Sequence, residues 1–238
     1  MDSLGVMRGN NMQGWVVCAL GVVVSLSVGC TTAPPPRALY HDTATAISLQ
    51  LDSKAGIGHS HPAKVSLDEL RYILAGIRIQ SRNSFIPSIL SGEASLVAAF
   101  SKEEQVLLAR HLSQALPEAT PGELVTFYRR VSTSAIGLAI TSGGLFVHGQ
   151  HLYFILANDR TSPSEGMSQS IVSEIDPIEN PLLPISRTSF RATFVPATSI
   201  VPEDEQWPWP YIDPGRVVVI DLVQLAREKK LQTPIPEQ

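Results

Sequence analysis

His59-Ser60-His61 and the pair His148/His151 are the two clusters in this chain with metal-ligating chemistry. Alternate residues of an extended chain point the same way, so His59 and His61 can face one ion. Gly149-Gln150 is a Gly-X pair suited to a type II′ hairpin turn, which sets His148 opposite His151, roughly 5 Å apart. Zinc takes three or four protein ligands, and neither pair shows its third. The competing expectation is a solvated loop and an exposed hairpin tip. Two protonated imidazoles at that tip would repel, which would make the hairpin pH-responsive. A third candidate is 207-WPWPYIDP-214, which sets Trp207, Trp209 and Tyr211 on a proline-stiffened segment. Such rings stack on sugars or anchor a partner when exposed, and close over a core when folded back. Thr141-Ser142-Gly143-Gly144 could bring backbone close to a ligand, although paired glycines in a strand more often mark a bulge or close packing.

No G-x-S-x-G elbow, H-E-x-x-H pair, phosphate-binding loop or C-x-x-C is present. No catalytic residue and no cofactor are therefore expected. The net charge of −4 offers no basic excess for nucleic acid.

The elements that must position these side chains divide by period. Ser66-Leu67-Asp68-Glu69, Ser101-Lys102-Glu103-Glu104 and Thr120-Pro121-Gly122-Glu123 all read as capping boxes opening helices. Leu67, Leu70, Ile73, Leu74 and Ile77 give the first helix its apolar stripe, and Leu108, Leu112, Ala115 and Leu116 the second. Leu124, Phe127 and Val131 suit a third, and residues 85–100 suggest a short fragment. Residues 44–51 read as a strand with Ile47, Leu49 and Leu51 on one face. From Ile136 the period becomes two: 137–148, 151–159, 187–195 and 217–220 read as strands. Asp221 then caps a short helix with Arg227, Lys229 and Lys230 in its last turn. The expected fold class is α+β, with a helical N-terminal half packed on a mostly antiparallel sheet formed by the C-terminal half.

Upstream, Arg8 precedes the uncharged run Trp15 to Gly29. As a helix, that run would rise roughly 22 Å, short of a hydrocarbon core of about 30 Å. Its parts are those of a secretory signal. Ser27-Val28-Gly29-Cys30 resembles the lipobox of bacterial lipoproteins, departing from it at Ser27, where that class prefers leucine. The resemblance implies cleavage before Cys30, acylation of that residue and a membrane anchor. Proline-rich Thr31 to Pro36 suits the flexible tether of that class. By the sorting habit of that class, Thr31, rather than aspartate, after the cysteine implies the periplasmic face of the outer membrane in a Gram-negative host.

The expected organisation is a signal peptide (1–29), a lipidated cysteine and tether (30–43) and one globular domain (44–238). The expected function is that of a lipid-anchored envelope protein that binds, supports or assembles other envelope components. Its partners would be the membrane and another envelope protein. The alternatives are a metal-assisted envelope hydrolase using the histidines, and a lipid- or glycan-binding lipoprotein.

Overall fold

The computed structural model describes residues 35–55, 58–81, 96–133, 137–162, 178–185, 190–210 and 213–232. Two strands come first, β1 (Arg37–His41) and β2 (Thr45–Leu51). Helix α1 (Leu67–Gly76) runs directly into β3 (Ile77–Ser81). Next come β4 (Val97–Ala98), α2 (Lys102–Ala115) and the long strands β5 (Glu123–Thr133), β6 (Gly137–His148) and β7 (His151–Thr161). The chain continues through β8 (Phe190–Phe194), β9 (Val217–Asp221) and α3 (Leu222–Gln232). Strand β1 begins inside the stretch assigned to the tether.

The expected division into a helical half and a sheet half does not hold. The described chain is mostly β: a six-stranded sheet in the order β1-β2-β5-β6-β7-β9, antiparallel throughout, and a three-stranded sheet β4-β3-β8, joined by short helices. Two strands of the large sheet precede both N-terminal helices. The decisive misreading lies at Thr120–Glu123. The Glu123 carboxylate accepts from the amide and hydroxyl of Thr120 at 2.9 and 3.0 Å. The Glu123 amide, however, donates back to the Thr120 carbonyl at 2.9 Å and closes a turn instead of opening a helix. Beyond it, Val125, Thr126, Phe127, Tyr128 and Val131 are β-branched or aromatic, and β5 pairs along its length with β2 and β6. Pairing on both edges outweighs a helical spacing that the same residues also satisfy.

The other two capping boxes form as read. Ser66 and Glu69, and Ser101 and Glu104, each exchange side-chain and backbone bonds at the starts of α1 and α2. Helix α1 ends one residue early, because Ile77 leaves it to pair with Phe194 in the small sheet. The fragment around residues 85–100 lies largely outside the described residues; its end supplies β4. Asp221 caps α3 through the Val223 and Gln224 amides, at 2.8 and 3.0 Å.

Helices α1 and α2 cover one face of the large sheet. Leu70, Ile73, Leu108 and Leu112 join Phe127, Leu145, Leu152 and Phe154 in the main core. The hairpin register follows the Gly-X reading: His148 pairs with His151 and Phe146 with Tyr153. The opposite face is covered too, by loops. Phe146, Tyr153 and Ile155 lie there under Val201, with Leu182, Trp207 and Trp209 packed against them. Gly143 of the paired glycines permits close packing, because a Cβ there would lie 2.0 Å from the Ile155 carbonyl oxygen. Among the described residues no helix is long and apolar enough to cross a membrane.

Candidate functional site

The loop-covered face gathers most of the singled-out side chains around one residue that sequence reasoning missed. Asp52 follows β2 directly, and its carboxylate is buried. Oδ1 accepts from the Lys54 amide at 2.9 Å. Oδ2 accepts from two rings, His59 Nε2 at 3.0 Å and the Trp209 indole Nε1 at 2.8 Å. Burial works against the charge, but the bonds from His59, Trp209 and the Lys54 amide outweigh it and hold the carboxyl below its ordinary value. No motif marks Asp52 in the sequence; the only signal is an acid ending a strand seven residues before a histidine.

His59 is carried there by backbone bonds. Its amide donates to the Pro121 carbonyl at 2.7 Å and the Ser60 amide to Val147 at 2.7 Å, stitching residues 58–60 between the α2–β5 connection and β6. The His59 ring then lies on Phe146 at 4.0 Å between centroids, and Phe146 lies on Tyr153 at 4.7 Å. A carboxylate can only accept, so His59 donates to it from Nε2, and the other ring nitrogen is Nδ1. That nitrogen is buried and has no hydrogen-bond partner among the described residues. An acid–imidazole pair of this kind can orient a general base, but here the free nitrogen faces packed protein. The arrangement works as a polar anchor inside an aromatic stack.

His61 stands edge-on to His59 at 5.9 Å, and both of its ring nitrogens are buried without hydrogen-bond partners among the described residues. Burial first, and the neighbouring His59 second, depress it to about 4, against the opposing pull of Leu116 and Glu123. His148 lies flat on Trp207 at 4.3 Å. His59 and His61 are thus neighbours and His148 faces His151, but His59 Nε2 is committed to Asp52. Among the described residues, no group of three or more His, Cys, Asp or Glu side chains is arranged to hold a metal ion.

Trp207 and Trp209 form a strap over this stack. The Tyr153 hydroxyl accepts from the Trp207 amide at 2.6 Å and donates to its carbonyl at 3.3 Å, gripping that residue's backbone from both sides. Trp207 meets His59 and Phe146 edge-on, at 6.0 and 6.1 Å. Both tryptophans are half-buried. Tyr211 and Cys30 lie outside the described residues. Beside the strap opens a cleft of about 250 Å³, lined by Gln50, Leu51, Lys54, Leu182 and Trp209 among others. Gln50 Oε1 is buried there without a partner among the described residues, and Leu51 is 46% exposed. A ring edge, leucines and a few polar atoms make a surface for an amphipathic ligand.

No protein-family model, curated protein or solved structure matches this chain.

Proposed function

We propose that this chain is a bacterial envelope lipoprotein, held to the membrane through Cys30, whose folded domain acts by binding. The observation that carries the proposal is Ser27-Val28-Gly29-Cys30 at the end of an apolar run, followed by Thr31 to Pro36. Acyl chains on one cysteine anchor firmly, since each buried CH₂ contributes about 0.8 kcal/mol. The first strand begins at Arg37, immediately after Pro36, so the domain would stay near its membrane. Binding rather than chemistry is favoured by the inward-facing Asp52–His59 pair and by the cleft beside Trp209. Its ligand would be an amphipathic envelope component, a glycan or a lipid-like group, or a partner protein displaying one.

Metabolic labelling with radioactive palmitate in a bacterial host tests the anchor. Label should enter the wild-type chain and not Cys30→Ser; equal absence of label from both contradicts it. Gentle detergent extraction should then recover a bound component, whereas a clean, ligand-free monomer would count against the binding role.

A further inference from the structure

A second cavity lies on the helix-covered face of the sheet, away from the strap. It measures about 380 Å³ and is walled by the first turn of α2, by Arg129 and Val131 of β5, by Ala139 and Thr141 of β6, and by Arg160 of β7. An irregularity in the β6–β7 ladder builds it. Ser142 pairs with Asn158, but the next partners are Ile140 and Thr161, so Thr141 alone faces Asp159 and Arg160. The extra residue is accommodated at Arg160, whose φ of 43° is the only positive value at a non-glycine among the described residues. A bulge of this kind re-aims a side chain. The Arg160 amide donates to Thr141 Oγ1 at 3.2 Å, and Thr141 pairs across the next ladder with Arg129. Two guanidinium groups from β5 and β7 therefore converge on one cavity across a single threonine.

Donor capacity exceeds acceptor capacity there. Arg129 gives Nε to Glu104 Oε1 and Nη1 to Thr45 Oγ1, both at 3.2 Å. Arg160 gives Nη2 to the Ala99 carbonyl at 3.1 Å, and its Nη1 lies 3.8 Å from Asp159 Oδ1, beyond hydrogen-bond reach. Each guanidinium carries five N–H donors, so more than half of the ten have no partner among the described residues. Of the neighbouring acids, Glu104 is already occupied on both oxygens, Oε1 by Arg129 and Oε2 by the Ser101 amide at 2.9 Å.

The geometry points to a binding site for a small oxyanion, a carboxylate or phosphate group seated between Arg129 and Arg160 on the Val131–Ala139 floor. Arginine forks match such groups in bidentate geometry, which the two side chains offer from adjacent walls. Asp159 gives the site a signature. Its Oδ1 is buried without a hydrogen bond among the described residues, and burial pushes the carboxyl up to about 6, with Glu104 of α2 adding to that and Arg160 of its own strand opposing it. An anion beside it binds better once Asp159 is protonated.

The test titrates the full chain, in nonionic detergent, with sulfate and separately with acetate. Sulfate stands in for a tetrahedral oxyanion whose own charge does not change between pH 7.5 and 5.5. One saturable site should appear for at least one probe, several-fold tighter at pH 5.5. Arg160→Gln should weaken it by roughly tenfold, the loss of about one charge-assisted bond. Asp159→Asn should bind at pH 7.5 as the wild type does at pH 5.5. Val131→Glu, at the solvent-exposed end of that floor, should abolish binding by setting a carboxylate against the two retained arginines, and serves if Arg160→Gln does not fold. No saturable binding of either probe at millimolar concentrations, or binding unchanged in Arg160→Gln and Val131→Glu, overturns the proposal.

Discussion

His59 and Trp209 donate to the same oxygen, Asp52 Oδ2, at 3.0 and 2.8 Å. A loop imidazole and a strap indole, 150 residues apart in sequence, are thereby fixed to one another through a single acceptor on β2's exit. Replacing Asp52 with alanine leaves two largely buried ring donors unsatisfied, at about 1–3 kcal/mol each. Asp52→Ala should therefore lower stability to urea by roughly 2–4 kcal/mol. The strap should loosen with it. In a Trp15→Phe background, where Trp207 and Trp209 are the remaining indoles, emission should shift to the red. Unchanged stability and emission would show that the shared carboxylate does not hold the strap.

Tyr153 provides the second fastening. Tyr153→Phe keeps the stack on Phe146 but removes both bonds to the Trp207 backbone. Acrylamide should then quench the strap tryptophans more readily, at a cost in stability of about 1–2 kcal/mol. Quenching equal to wild type would mean that packing alone seats the strap.

Two buried groups titrate against each other below neutrality. His61 is depressed to about 4, so the unfolded chain takes up that proton first. Its contribution to stability is complete above about 6.5 and is lost as pH falls toward 4, for a total of about 3 kcal/mol. Asp159 is raised to about 6, so here the folded chain takes up the proton first, and stability rises by a similar amount as pH falls from 6 toward 3.8. The wild-type stability profile between pH 7 and 4 should accordingly be shallow. His61→Leu should become more stable on acidification and Asp159→Asn less stable. Denaturant midpoints across that range check this; parallel slopes in the two variants would refute it.

Much of the strand pattern was legible because alternation and turn chemistry agreed. Gly149-Gln150 set the His148–His151 register, and Ile47 and Leu49 are buried in β2, although Leu51 of the same set is exposed and Ala46 and Ser48 on the other face are buried as well. Segment β5 was not legible, because Glu123 accepts from the Thr120 amide in this turn as it would in a capping box, and only the return bond, to the Thr120 carbonyl instead of its hydroxyl, differs. Its Leu124, Phe127 and Val131 fit the helical spacing, whereas in β5 Leu124 and Phe127 face opposite sides of the sheet, and only the neighbours β2 and β6 decide. The candidate site was half legible. Histidine spacing drew attention to His59 and His61, but Asp52 lies on the far side of a loop, and its role depends on a tryptophan 157 positions away. The Arg129–Arg160 cavity depends on a register shift that no residue announces.

Glycine at 143 is a backbone requirement. A Cβ there would meet the Ile155 carbonyl oxygen at 2.0 Å and the Phe127 ring at 2.9 Å, so Gly143→Ala must part β6 from β7. A loss of at least about 3 kcal/mol, or failure to fold, is expected. Gly122→Ala meets only Leu51, at 3.6 Å, and should stay within about 0.5 kcal/mol of wild type. Similar urea midpoints for the two variants would contradict the close β6–β7 approach.

The anchor proposal is tested most directly by mass spectrometry of the N-terminal peptide of the protein recovered from a bacterial envelope fraction. The account predicts a chain that begins at Cys30, with a diacylglyceryl group on its sulfur and an acyl group on its amine. A mature chain that begins elsewhere, or an unmodified Cys30, would contradict it.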